Sequence, residues 1–334
     1  MKKKLAFIDH NFHQKSKSGN FIREILRKKF VIDDFWWSLK DQYKLIDKIK
    51  NYENFFFFQS LLPLEDMLKI RDKNIMWAPM YDNLDTSFNY WKKIKYLDLK
   101  ILAFSSPVKK LSVKFNCRHL YLKYALKNKI GTKIKKKLNI FFWFRNNISF
   151  YDWINIFKTE DINVVKYFNC PDPGKNSEVI DYKDIKNYKI KFINKKFLPK
   201  NEYLKMIKNC DVFVCPRKQE GIGMSFLEAL SMGKYLISKK ETTMNEYINN
   251  QDIGIFFNKY SKQKLSLRQI KKGQNFRNKY AKIIFNKWEK DKKMIINFFI
   301  ISNKKNKGNS LYYFYFLNDY LRKYKFLFKR WILS

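Results

Sequence analysis

Glu220 and Glu228 bracket a short glycine-bearing turn, and that arrangement is the chain's clearest opportunity for chemistry. Asp211 to Cys215 is an apolar run halted by Pro216, which reads as a buried strand. Arg217 to Gly223 is polar and holds two glycines, so the chain bends there. From Met224, the residues Phe226, Leu227, Leu230 and Met232 recur at helical spacing, and Gly233 is a natural stop. A helix starting at such a bend exposes unpaired backbone N–H groups at Gly221, Ile222, Gly223, Met224 and Ser225. Those groups favour an anion such as phosphate. A plain account competes for each acid. Ser225-Phe226-Leu227-Glu228 fits a capping box in the first helical turn, and Glu220 fits a solvated loop residue.

The whole string resembles the nucleotide-sugar site of family 4 (group 1) glycosyltransferases of the GT-B fold. Their signature is a pair of glutamates separated by seven residues, and Asp211, Pro216, Glu220, Gly221, Gly223, Glu228, Ala229 and Gly233 match it here. The continuation KYLISKKETTMNEYINNQDIGIFF is similar to the family's next strand, a helix bearing Glu246 and a turn at Gly254. More narrowly, EGIGMSFLEAL and TMNEYI resemble bacterial surface-polysaccharide and lipooligosaccharide transferases. The likeness is strong from about Leu198 to Phe257 and weaker elsewhere.

The resemblance implies an α/β protein with two Rossmann-like domains, a cleft between them and a C-terminal helical tail. Short apolar strands alternating with helices agree, since they imply a parallel sheet covered on both faces. In the first half these are strands at Leu5–Ile8, near Val31, at Phe55–Phe58, Ile75–Ala78 and Ile101–Phe104. Helices are expected at about Asn20–Lys29, Tyr43–Ile49 and Leu64–Ile70. The expected division is 1–126 for the acceptor side, a lysine-rich linker 127–137, and 138–307 for the nucleotide-sugar side. The basic and aromatic segment 308–334 packs back on the first domain or meets a membrane surface.

Leu138 to Phe144 reads as the first strand of the second domain, ending in Arg145. In the family this arginine and a later lysine neutralise the donor diphosphate. Asn146 to Ile154 holds no lysine, so Arg217 or Lys218 is the candidate replacement, or else an exposed loop cation. By position, the resemblance places His10, His13, Ser18 and Gly19 in the loop that holds the acceptor; each is otherwise an ordinary exposed loop residue. His119 reads as structural.

The 334 residues include 70 Lys and Arg against 30 Asp and Glu, a formal charge of +40. That charge attracts polyanions, anionic membranes or phosphorylated substrates. The four cysteines have no metal-ligand or disulfide spacing, which fits a reducing cytoplasm. The opening MKKKLAFIDHNF lacks a signal-peptide core, and no run is long enough to span a bilayer. The expected enzyme is cytoplasmic, or peripheral on the inner membrane face. No Asp-x-Asp pair occurs, which points to transfer without a metal ion.

The expected activity moves a sugar from a nucleotide-diphosphate donor to a glycan or lipid-linked acceptor, with retention and no cofactor. The resemblance gives Glu220 the transferred sugar and Glu228 the ribose. Two rivals are a non-catalytic protein on the same fold and a basic nucleic-acid binder, although no nucleic-acid-reading motif is present.

Overall fold

The computed structural model describes residues 2–38, 42–129, 131, 134, 136–145, 147–172, 174–195, 198–240, 243–257, 264–301, 316, 317, 319–321, 323–325 and 328. The chain divides into two compact units, Met1–Lys123 with Lys290–Ser334, and Tyr124–Glu289.

The first unit runs β1 (Lys3–His10), α1 (Phe12–Ser16), α2 (Asn20–Leu26), β2 (Phe30–Trp37), α3 (Gln42–Ile49), β3 (Asn54–Gln59), α4 (Leu64–Met67), β4 (Asn74–Pro79), α5 (Phe88–Leu97), β5 (Lys100–Ala103), α6 (Ser106–Lys114) and β6 (His119–Tyr121). The strands form one parallel sheet in the order β2-β1-β3-β4-β5-β6. The run Phe55–Phe58 explains the layering. All four rings are buried, with Phe56 stacked on Phe7 at 5.0 Å and Phe55 stacked on Phe57 at 6.4 Å. Alternate residues of a strand face opposite sides, so such a run needs helices on both.

The second unit runs β7 (Leu138–Phe144), β8 (Ile162–Asn169), α7 (Tyr182–Asn187), β9 (Ile190–Ile193), α8 (Lys200–Lys208), β10 (Val212–Val214), α9 (Met224–Ser231), β11 (Tyr235–Lys239), β12 (Gly254–Phe257), α10 (Leu267–Lys272) and α11 (Gln274–Asp291). Its sheet is also parallel, in the order β12-β11-β10-β7-β8-β9. Chain order reverses between β7 and β10. Loops beyond the carboxyl ends of such neighbours diverge and leave room for a ligand.

The final helix, α12 (Met294–Ile300), belongs to the first unit. Lys100, buried in β5, donates to Phe299 O at 2.5 Å, Ile301 O at 2.7 Å and Asn74 Oδ1 at 2.8 Å. Further on, Phe316 is buried, Asp319 meets Lys93 at 2.5 Å, and Lys323 meets Asp66 at 2.6 Å. No helix among the described residues is long and apolar enough to cross a membrane.

Several expectations need correction. The helix at Asn20 ends at Leu26. Gly254 opens β12 instead of a turn, and a Cβ there would lie 2.1 Å from Leu236 O, so close strand packing is what requires glycine. Glu246 ends a short 3₁₀ segment, Thr243–Glu246, instead of lying on a full helix. In the lysine-rich stretch before β7, Asn128 Nδ2 and Lys129 N both donate to Ser231 O, at 3.1 and 2.8 Å. Residues 130, 132, 133 and 135 of that stretch, Asn146, and most of 302–334 lie outside the described residues.

Candidate active site

The turn between β10 and α9 is built from backbone constraints. Asp211, buried just before β10, accepts from Asn139 N at 2.8 Å and ties this strand to β7. Pro216 then ends the ladder. Gly223 is the N-cap of α9 with φ +67°, and a Cβ there would lie 2.4 Å from Met244 Sδ. Glycine is therefore required twice, by backbone conformation and by space. Gly233, with φ +66°, closes the helix as expected.

The capping-box account of Ser225 and Glu228 fails. Gly223 takes the N-cap position, no side-chain cap bond forms among the described residues, and Glu228 lies beyond the first turn. The start of α9 thus keeps its N–H groups clear of side-chain caps, with Met224 and Ser225 only partly buried.

Glu228 is 5% exposed. It is ion-paired with Lys200 at the start of α8, while its Oε2 is buried without a hydrogen-bond partner among the described residues. Burial pushes its carboxyl above the usual range, although the Lys200 charge pulls the other way. Tyr203, one turn along α8, is buried beside it, and its phenol is driven upward by burial and then by the Glu228 charge.

Glu220 is held through its backbone. Thr243 Oγ1 accepts from Glu220 N at 3.0 Å and donates to Glu220 O at 2.6 Å. Thr243 is buried after β11, so the loop that carries Glu220 is fixed from the neighbouring strand. This residue escaped sequence reasoning, because a threonine in TTMNEY carries no spacing signal.

Arg145 and Arg217, from the loops after β7 and β10, converge on one carboxylate. Arg145 Nε donates to Asp172 Oδ1 at 2.8 Å, and Arg217 Nη2 donates to Asp172 Oδ2 at 2.8 Å. Arg145 also lies over the Trp143 ring, 4.7 Å from its centroid. Lys218 is exposed and takes no described part in this cluster. Asp172 follows β8 in a Cys-Pro-Asp-Pro-Gly stretch, whose only sequence signal is that of a turn.

In the first unit, Asp9 at the end of β1 is the hub. Fully buried, it accepts from His10 N at 2.8 Å, lies 2.5 Å from His13 Nδ1, and pairs with Arg23 Nη2 at 3.1 Å. Arg23 Nε also donates to Asp34 at 2.7 Å. Gly19 belongs to the same knot, since a Cβ there would come within 2.5 Å of Arg23 Nη1. His10 lies edge-on to Trp37 at 5.3 Å, and its pKa is lowered by burial and then by His13. Ser18 Oγ hydrogen-bonds Ser16 Oγ at 2.8 Å instead. His10, His13 and Gly19 are thus brought together, with Ser18 facing its own loop. His119 Nδ1, at the start of β6, meets Cys117 O just before the strand at 3.1 Å, a structural contact.

The profile of the family described as "Glycosyl transferases group 1" matches residues 174–287. The matched residues all fall within the second unit. The group 1 segment contains Arg217, Lys218, Glu220 and Glu228, while Arg145 and Asp172 precede it. No curated protein matches the chain at a significant level.

Solved structures similar to the chain share its fold at low identity. A sucrose-phosphate synthase from Thermosynechococcus elongatus is 10% identical with a TM-score of 0.59, over 89% of this chain and 98% of its own. Anabaena Alr3699/HepE in complex with UDP and glucose is 11% identical with a TM-score of 0.52, over 88% and 98%. The lipopolysaccharide outer core galactosyltransferase WaaB, in its apo form, is 13% identical with a TM-score of 0.52, over 96% and 99%. The two parallel sheets with their helices are the GT-B architecture, and the matched residues carry β9 to β12 of the second sheet.

Proposed function

We propose that the chain transfers a hexosyl group from a nucleotide-diphosphate sugar to a hydroxyl of a glycan or lipid-linked acceptor. The proposed transfer retains anomeric configuration, needs no metal ion or cofactor, and serves cell-surface polysaccharide synthesis. The observation that carries this reading is the uncapped start of α9 at Gly223, flanked by Glu220 and by the half-satisfied carboxylate of Glu228.

The donor would lie across the carboxyl ends of β7 and β10. Its diphosphate would take N–H groups from Gly221, Ile222, Gly223, Met224 and Ser225, and the guanidinium groups that now hold Asp172. Arg217 then supplies the cation that the stretch after Arg145 lacks. Glu228 Oε2, buried and unpartnered, suits a ribose hydroxyl as donor. Glu220, on a loop pinned by Thr243, would hold a hydroxyl of the transferred sugar.

As the bond from the sugar's anomeric carbon to the diphosphate breaks, its electron pair leaves with the phosphate. The two arginines and the helix start stabilise that charge. The acceptor hydroxyl attacks the same carbon and gives up its proton to the departing phosphate oxygen. His10, His13, Ser18 and Gly19 of the first unit are proposed to orient the acceptor. Among the solved structures of this fold, one was determined with UDP and glucose, and another is a lipopolysaccharide galactosyltransferase. Both agree with the proposed sugar transfer.

A thermal-shift screen of UDP-, GDP-, CDP- and dTDP-sugars tests the reading, because a ligand bound by the folded state raises its melting temperature. At about 100 Kd of the true donor the gain is about 2.7 kcal/mol. A chain that none of these sugars stabilises would overturn it.

A further inference from the structure

The described residues between 316 and 328 are helical, and they have two unlike faces. One face is used up: Phe316 is buried and meets Tyr96 at 5.7 Å, Asp319 pairs with Lys93, and Lys323 pairs with Asp66. The other presents Leu317, Leu321, Tyr324 and Phe328, which are 52 to 67% exposed. Their spacing of four, three and four residues puts them in one narrow stripe along the helix. A segment whose only task was to pack on the first sheet would have polar residues there.

Charge identifies what covers the stripe. From residue 316 onward the sequence carries Arg322, Lys323, Lys325, Lys329 and Arg330 against Asp319 alone, with Asp319 and Lys323 each already paired. A second copy of the chain would bring its own +40 charge and be repelled. An anionic lipid surface complements both features, since apolar side chains enter the headgroup boundary while lysines and arginines meet lipid phosphate.

We infer that Leu317, Leu321, Tyr324 and Phe328 form a docking stripe that seats the first unit on an anionic bilayer. This deepens the reading given above, because a lipid-linked acceptor is presented in that surface. The inward contacts of Phe316, Asp319 and Lys323 fix which side of the helix faces the lipid.

The test is flotation of the full chain with vesicles of phosphatidylglycerol and phosphatidylcholine, and with phosphatidylcholine alone. The expected result is binding to the anionic vesicles that weakens with salt. Changing Leu317, Leu321, Tyr324 and Phe328 together to Ser lowers that binding by about a hundredfold, with an unchanged melting temperature. Should that variant melt early, Tyr324→Glu, which leaves the inward face intact, provides the same comparison. Equal partitioning of variant and wild type overturns the inference, and so does a wild-type chain that ignores both vesicles. A concentration-dependent dimer abolished by these substitutions, without vesicle binding, reassigns the stripe to a protein partner and also overturns it. Donor thermal shifts measured without vesicles keep this outcome separate from that of the transferase reading.

Discussion

Arg145 Nη2 lies 2.6 Å from Asp172 Oδ1, and Arg217 grips the other oxygen of the same carboxylate. A side-chain anion thus occupies the fork that the proposed diphosphate needs. Asp172→Asn removes the competitor and is expected to tighten nucleoside diphosphate binding by about tenfold at low salt. Arg217→Ala is expected to weaken it by about ten- to a hundredfold. Calorimetric titration of both variants against wild type, with the nucleotide the screen selects, checks the pair.

Glu228→Gln separates binding from stability. The folded-state pKa of Glu228 lies above its unfolded value, so folding favours the protonated form. Its ionisation therefore costs stability as pH rises from the ordinary carboxylate range through the raised value. Glutamine removes that cost, so the melting temperature near pH 7 does not fall. Nucleotide affinity drops by about tenfold or more, because a charged acceptor for the ribose is gone. Melting curves across pH 4 to 8, read beside nucleotide titrations, give both quantities.

Glu220→Ala is expected to lower turnover by about a hundredfold or more while donor affinity stays within about threefold. The backbone bonds to Thr243 survive the substitution, so the loop keeps its position. Steady-state transfer measured beside equilibrium donor binding distinguishes this result from a general loss of fold.

Gly223→Ala places a side chain at positive φ against Met244. The backbone part of the cost is of order 1–2 kcal/mol, and donor binding is expected to fail with it. Adding Met244→Ala relieves the steric part alone. Urea unfolding of the single and double variants should therefore show partial recovery of stability without recovery of binding.

Much of the scaffold was legible because parallel strands buried on both faces are written as continuous apolar runs. Leu138–Phe144 reads directly as β7, and the glycines at 223 and 233 mark both ends of α9. Helix α5 is hidden by its own residues, since FNYWKKIKYL mixes aromatic strand formers with lysines that blur the apolar period. Helix α6 was missed as well, although Pro107 at its start is a recognised signal.

The site itself was half legible. Residues joined by the backbone of one turn, from Glu220 to Glu228, announce themselves by spacing. Asp172, Thr243 and Lys200 do not, because each reaches its partner through sheet order that no local pattern encodes. The same distance effect explains why an S-x-x-E string pointed to a cap. The string was right for a helix start, but a glycine with positive φ had already taken the N-cap.

The ammonium of Lys100, sealed under the last turn of α12, bears on how the polypeptide is made. The first sheet emerges early from the ribosome, yet carbonyl oxygens that accept from this buried cation belong to residues synthesised some two hundred positions later. The inserted second unit has all its strands before then and can mature first. A fragment stopping at residue 123 would keep Asn74 but lose the carbonyl acceptors of Phe299 and Ile301 for this buried cation, and is expected to be captured by chaperones or degraded.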